Sequence, residues 1–178
     1  MSGPEFSRPV RIDTIGPAPR AIAIEANADE RAALAARFDL QAIESLSAEA
    51  EVSRHGLIVR ASGALSARVI QSCIATGAPV TADVNESFRI EFRPEPAADS
   101  PEEEIELTES ELDVIFYTSS AIDLGDAVAE SLLLALDPFP RCPDADETLA
   151  AAGVIKEGEE PRTGALAGLK DLLNGGRK

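Results

Sequence analysis

The chain has few of the side chains on which most enzyme active sites depend. It contains one histidine, two cysteines, one tyrosine and no tryptophan in 178 residues. No glycine-rich phosphate loop, Gly-x-Ser-x-Gly motif or His-Glu-x-x-His motif occurs in it. His55 lies between Arg54 and Gly56 at a predicted strand end or turn, where no local group is placed to make it a catalytic base. We therefore predict a protein that is not an enzyme and has neither catalytic residues nor a cofactor.

The few cysteines also limit metal binding and disulfide formation. Cys73 and Cys142 lie far apart in a chain whose first residues lack the features of a secretory leader, so two free thiols are expected. With His55 they are too few for a zinc site of four Cys and His ligands within one chain, so we predict no metal. No run of about 18 apolar residues is present. We expect a cytoplasmic protein without membrane contact.

Basic residues are scarce overall but are unevenly distributed. Lys and Arg number 16 against 32 Asp and Glu, and the net charge is -16. This balance argues against general, sequence-independent binding to nucleic acid. The stretch from Arg54 to Arg93 nevertheless has five arginines and three acids. A basic surface within an acidic protein and a solvated sheet face are both consistent with this pattern.

An acidic stretch follows directly. From Glu95 to Asp113 there are nine acids and no Lys or Arg. Because prolines and charges dominate its first part, we predict a flexible acidic loop at residues 94–111. Adjacent carboxylates on such a loop lack the fixed separation that a metal or acid–base site needs. The alternatives that remain are a solvated segment and a docking surface for a basic partner.

Periodicity predicts a helix near the N-terminus and then a sheet. Asn27 and Glu30 have the spacing of a capping box, which predicts a helix over 28–38. Short strands are expected at 10–13 and 21–26. Longer runs of strand-like composition cover 43–53, 57–65, 66–75 and 80–93, with interruptions at 55–56, Gly63 and 77–79, and a further run covers 112–120, where Val114 and Phe116 lie on the opposite side from 115 and 117. Within 88–93, strict alternation predicts that Phe88, Ile90 and Phe92 face the core.

A leucine-rich helix is predicted from Asp123 to Leu136. Asp123 is placed as its N-cap, Asp137-Pro138 ends it, and its wide apolar side, including Leu133, predicts a largely buried helix. The predicted fold is α+β: an antiparallel β-meander or a partly closed small barrel, packed by the N-terminal and leucine-rich helices. Residues 1–142 form the expected single domain, and 143–178 a mostly mobile tail with a short closing helix at 164–173.

Two patches of the sequence resemble the YceD family of large ribosomal RNA subunit accumulation proteins. The first combines Ile122-Asp123-Leu124, the run Leu132 to Leu136 and the exit Pro138-Phe139-Pro140; the second is Ala165 to Lys170. The resemblance extends over about residues 43–173. It implies a non-enzymatic ribosome-biogenesis factor that supports accumulation or processing of large-subunit (23S) ribosomal RNA.

Two hypotheses follow about what such a factor touches. In the first, it binds ribosomal RNA or a large-subunit assembly intermediate directly, and the candidate residues are Arg54, Arg60, Arg68, Arg89 and Arg93. In the alternative, it is an acidic chaperone or adaptor that holds a basic ribosomal protein, and the candidate residues are Glu102, Glu103, Glu104 and Glu106.

Overall fold

The structure, a computed structural model, describes residues 5–96 and 113–154. The strands are β1 (Pro9–Arg11), β2 (Arg20–Glu25), β3 (Ala42–His55), β4 (Ile58–Ser72), β5 (Pro79–Pro94), β6 (Asp113–Tyr117) and β7 (Ala121–Asp123). The helices are α1 (Ala28–Arg37), α2 (Leu124–Ala135) and α3 (Ala145–Ala151), with a 3-10 turn at Ile12–Thr14. Strands β2 to β6 form one sheet in that order, and β1 pairs with β7. The α+β prediction is confirmed, and the sheet is open rather than closed into a barrel.

Helix α1 begins where its capping residues predict. The Asn27 side chain accepts a hydrogen bond from the Glu30 backbone N–H at 3.0 Å, and the Glu30 carboxylate accepts one from the Asn27 N–H at 2.8 Å. These two bonds satisfy donors that the first turn of a helix leaves free. Leu34 and Ala35 are buried, and the helix packs against β3. The N-terminal helix therefore covers one face of the sheet, as predicted.

Strands β3, β4 and β5 are long, and β4 is continuous. The prediction of two separate runs at 57–65 and 66–75 is wrong, since one strand spans Ile58 to Ser72. Gly63, which suggested a break, lies inside the strand and pairs with Ala50 of β3. A Cβ at this position would lie 2.0 Å from the backbone oxygen of Glu49. The glycine thus permits a close approach of two strands rather than ending one.

The sheet is antiparallel except at its last strand. Strands β2 to β5 are antiparallel, which confirms the predicted meander over residues 43–93, but β6 runs parallel to β5, with Asp113 beside Ile90 and Tyr117 beside Pro94. The prediction of a strand at 112–120 includes no direction. Parallel neighbours need a crossover connection, and the chain between Pro94 and Asp113 is long enough to make one. Residues 97–112 of that connection lie outside the described residues.

Helix α2 packs one side against the sheet. Its N-cap is confirmed, since the Asp123 carboxylate accepts hydrogen bonds from the backbone N–H groups of Gly125 and Asp126. Leu124, Val128 and Leu132 are fully buried, among others. Leu133 is 44% exposed and Leu134 is 79% exposed, so the prediction that placed Leu133 on the buried side is wrong. The helix contributes a stripe to the core and leaves leucines on the surface.

Part of the predicted tail has regular structure. Helix α3 begins two residues after Pro143, and its first residue, Ala145, is buried. The predicted closing helix at 164–173 lies outside the described residues. Among the helices of residues 5–96 and 113–154, none is long and apolar enough to cross a membrane.

Candidate nucleic-acid interface

The central strands present a core face and an outer face. On β4, Val59, Ala61 and Leu65 are buried, while the alternate residues are exposed. On β5, Phe88, Ile90 and Phe92 are buried as predicted. On each strand the outer-face residues alternate in sequence with these buried residues, because successive side chains of a strand point to opposite faces. Arg60, Arg68, Arg89 and Arg93 all have outer-face positions.

Three of the five candidate arginines come together on this face. Arg60 lies directly opposite Glu91 on the neighbouring strand, and Arg89 and Arg93 lie two positions before and after that glutamate. We call Arg60, Arg89 and Arg93 the arginine cluster. It lies at the end of the sheet where β4 begins and β5 ends.

The other two candidate arginines lie elsewhere. Arg68 shares the outer face but is roughly 25 Å further along β4, at about 3.3 Å per residue. There it forms ion pairs with Glu44 at 2.9 Å and Asp83 at 3.2 Å. Arg54 is not on the outer face, because its guanidinium donates hydrogen bonds to the backbone oxygens of Ile12 at 3.0 Å and Gly56 at 2.8 Å. Its role within the described residues is to hold the N-terminal 3-10 turn against β3.

A buried carboxylate organises the cluster. Glu91 is only 2% exposed although it lies on the outer face. Its two carboxylate oxygens accept hydrogen bonds from different arginines, one from Arg60 Nε at 2.8 Å and the other from Arg93 Nε at 2.9 Å and Nη2 at 2.6 Å. Hydrogen bonding to Arg93, and then to Arg60, holds the pKa of Glu91 below its ordinary value despite its burial. Glu91 is therefore ionised at neutral pH and fixes both guanidinium groups.

The cluster keeps hydrogen-bond donors available to a ligand. Arg60 uses only its Nε in the described part of the chain, and its side chain is 55% exposed. Arg89 is exposed and makes no side-chain hydrogen bond or ion pair to any residue within 5–96 or 113–154. A guanidinium group presents several N–H groups in a fork that matches phosphate oxygens. The outer nitrogens of Arg60 and the whole Arg89 guanidinium are thus free to bind an anion.

Exposed apolar side chains border the cluster on β6. Val114 lies beside Glu91 and Phe116 beside Arg93 in the parallel register. Phe116 is 52% exposed, which leaves a ring face accessible to a planar group. Sequence periodicity placed Val114 and Phe116 on one side of a strand. It did not identify them as part of the site, because that depends on the parallel pairing of β6.

A shallow depression lies on the other side of the cluster. It has a volume of about 270 Å³ and is lined by residues that include Pro19, Ser53, Arg60, Ser62 and Arg89. A second concavity of about 680 Å³ continues across β2 and β3 and is floored largely by alanine, serine and glycine. The small side chains leave the outer face open beside the arginines. The arrangement can bind phosphate at the cluster and a flat ring at Phe116.

The remainder of the outer face carries negative charge. On β2 and β3 its charged residues are Glu25, Glu44, Glu49 and Glu51, without Lys or Arg. An anion on the outer face is therefore attracted to β4 and β5 and repelled from β2 and β3. The acidic candidates Glu102, Glu103, Glu104 and Glu106 lie outside the described residues. Over residues 5–96 and 113–154, no group of three or more His, Cys, Asp or Glu side chains is placed to hold a metal ion.

Comparison with known proteins connects the chain to one family. The model of that family, described as "Large ribosomal RNA subunit accumulation protein YceD", matches residues 61–173, nearly two thirds of the chain. The matched range includes Arg89, Glu91, Arg93 and Phe116, and begins one residue after Arg60. No curated protein matches the chain, and no solved structure does. From the extent of the family match, the chain belongs to the YceD family.

Proposed function

We propose that this protein supports the accumulation of large-subunit ribosomal RNA as a non-enzymatic assembly factor, and that it contacts RNA through the arginine cluster and Phe116. The family description connects the chain to this RNA. The single observation that carries the direct contact is the exposed Arg89, which lies beside Arg60 and makes no side-chain interaction with the described residues.

Preorganisation is the main physical argument for RNA contact. Glu91 holds Arg60 and Arg93 in place, so binding a phosphate costs less side-chain entropy than ordering free arginines would. Phe116 adds a stacking surface for an unpaired base, which is a common mode of RNA recognition. The glutamates on β2 and β3 restrict the contact to one side of the sheet.

The same surface supports a binding role rather than catalysis. It offers positive charge and an aromatic ring, but the one imidazole, His55, is exposed at the end of β3. Its side chain makes no hydrogen bond to another described residue. A nucleophile with an adjacent base is the usual minimum for hydrolysis of RNA or protein.

The Arg89→Ala variant tests the contact most directly. Since Arg89 supports no described side-chain network, its removal should leave the unfolding midpoint unchanged and weaken binding to a large-subunit ribosomal RNA fragment about tenfold at low salt. The slope of log affinity against log salt should fall by about one, for one lost phosphate contact. Fluorescence anisotropy over a salt series measures both quantities.

Arg68→Ala is the matched control. It removes the same charge from the same face, roughly 25 Å from the cluster, and should change affinity by less than about twofold. Phe116→Ala distinguishes stacking from charge, because it should weaken binding without changing the salt slope. Equal loss in Arg68→Ala and Arg89→Ala would mean that only net charge matters, and the proposed contact would be abandoned.

A protein partner is the second candidate, and the glutamates on β2 and β3 favour it together with the net charge of -16. Crosslinking in cells, with RNA and protein partners identified separately, distinguishes the two. One outcome would be that a basic ribosomal protein is recovered only when residues 97–112 are present and that no RNA is crosslinked to the arginine cluster. In that case the chaperone or adaptor role would replace the proposed RNA contact.

A further inference from the structure

The two cysteines meet at one end of the sheet. Cys73 directly follows β4, and Cys142 lies in the segment that leaves α2. The backbone N–H of Cys142 donates a hydrogen bond to Cys73 Sγ at 3.3 Å. Both are free thiols. Their large separation in sequence concealed this contact.

Several bonds hold the two segments together around the thiols. The Gln71 side chain donates to the Asp137 backbone oxygen at 2.9 Å, and the Ile74 N–H donates to the Pro140 oxygen at 2.9 Å. Thr76 Oγ1 lies 3.2 Å from Cys142 Sγ. These bonds hold Cys142 against Cys73, so a disulfide between them would join two segments that are already in contact.

The two thiols have different surroundings. Cys73 is 3% exposed, whereas Cys142 is half-buried and accessible to a small oxidant. The hydrogen bond that the Cys142 backbone N–H donates to Cys73 Sγ lowers the pKa of Cys73 to about 6. A lowered pKa favours the thiolate, the form of cysteine that attacks another sulfur. Cys142 is thus accessible from solvent, and Cys73 lies next to Cys142, where it can react with the Cys142 sulfur.

We propose that Cys73 and Cys142 are an oxidation site at which a peroxide converts the two thiols into a reversible disulfide. The Cys142 thiol loses its proton to solvent as its sulfur attacks one oxygen of hydrogen peroxide, the O–O bond breaks, and the departing hydroxide takes up a proton to become water. This leaves a sulfenic acid on Cys142. The Cys73 thiolate then attacks the Cys142 sulfur, and a second hydroxide departs and becomes water. The thiols lose two electrons, and one peroxide becomes two waters.

The disulfide would tie the exit of α2 to the end of β4. A crosslink between residues so distant in sequence restricts the unfolded chain strongly, so the oxidised protein should be more stable than the reduced one. A dithiol reductant restores both thiols by exchange. The site is independent of the arginine cluster and of the proposed RNA contact.

Peptide mapping of the full-length wild-type protein tests the proposal. Reduced protein is freed of reductant, treated at pH 7 with a few equivalents of hydrogen peroxide, and digested with trypsin without reduction. Mass spectrometry should detect peptides 69–89 and 142–156 joined, with loss of both free thiols. Dithiothreitol should reverse both changes. The melting temperature of the oxidised form should exceed that of the reduced form by about 5 °C.

Two serine variants test the order of the steps. Cys73→Ser should accumulate a sulfenic acid on Cys142 that dimedone captures, because the thiol that resolves it is gone. Cys142→Ser should retain a largely unreacted Cys73, since that thiol is buried. In the wild type, unchanged thiols, sulfinic acids without joined peptides, or only crosslinks between molecules would each overturn the proposal.

Discussion

At the residue scale, Glu91 is buried at a position where the sequence pattern predicts a solvent-exposed side chain. Alternation along β5 places it on the outer face, where glutamate is normally solvated. Its neighbours Arg60, Arg93 and Val114 bury it instead. A buried carboxylate is tolerated only when its oxygens are paired, and among the described residues the Glu91 carboxylate bonds only to the two arginines. The buried position of Glu91 therefore depends on its bonds to Arg60 and Arg93.

The Glu91→Gln variant should lower the free energy of unfolding by about 2 kcal/mol at pH 7, because it leaves two arginines without a carboxylate. The folded-state pKa of Glu91 is below its unfolded value, so its contribution is complete above about pH 4.5 and is lost as pH falls through the folded pKa. Urea unfolding at several pH values should show the wild type approaching the variant in acid.

Glu49→Gln provides the comparison for this experiment. Glu49 is exposed on the same face of the sheet, and its side chain forms no ion pair with a described residue. Its replacement should change stability by less than about 0.5 kcal/mol. A Glu91→Gln effect that stayed constant down to pH 2 would contradict the role given to the ionised carboxylate.

Single residues were predictable where their partners are close in sequence. Asn27, Glu30 and Asp123 cap their helices as expected, since each bonds within three positions. The partners of Arg54 and Glu91 come from other strands, and no local pattern specifies them. For the same reason, local sequence could not show which of the five candidate arginines would lie together. Three of them form the arginine cluster, and the other two lie elsewhere.

At the element scale, β4 is continuous through Gly63, a residue that suggested an interruption of the strand. Gly63 pairs with Ala50 on one side and Phe88 on the other, at the middle of three long strands. The neighbouring backbone occupies the space where a side chain would begin. The antiparallel order of β3 to β5 followed from strand composition and the short connections between these strands. The direction of β6 did not, because a long connection permits either orientation.

Gly63→Ala should lower the free energy of unfolding by about 3 kcal/mol, because the new methyl group meets the Glu49 backbone oxygen and the strands must separate. Thermal unfolding monitored by circular dichroism measures the loss. Gly16→Ala is the matched control, since no atom lies within 4 Å of a Cβ placed there. Equal melting temperatures for the two variants would disprove the close approach.

At the scale of the whole molecule, the first described residues complete the fold. Phe6 is 1% exposed in the core, and the Arg8 backbone N–H donates to the Asp123 carboxylate at 2.8 Å. The Arg8 guanidinium binds the Glu30 carboxylate, with contacts of 2.7 and 2.9 Å. One short segment thus joins the cap of α2 to the start of α1. Sequence periodicity missed it, because an irregular segment has no period.

Phe6→Ala should lower the free energy of unfolding by about 3 kcal/mol, since it leaves a cavity beside α2. Phe139→Ala removes the same ring from a site that is 68% exposed and should cost less than about 0.5 kcal/mol. Chemical denaturation of both variants gives the comparison. If both lose equally, Phe6 is not part of the core.

The contact between residues 6–8 and Asp123 also sets an order of events during protein synthesis. Residues 6–8 are made more than a hundred residues before Asp123 and the buried leucines of α2. Until then Phe6 has no α2 to pack against, while β2, α1, β3 and β4 can already assemble from nearby sequence. The hydrophobic core of this protein therefore closes only after α2 has been made, when residues 6–8 and that helix meet.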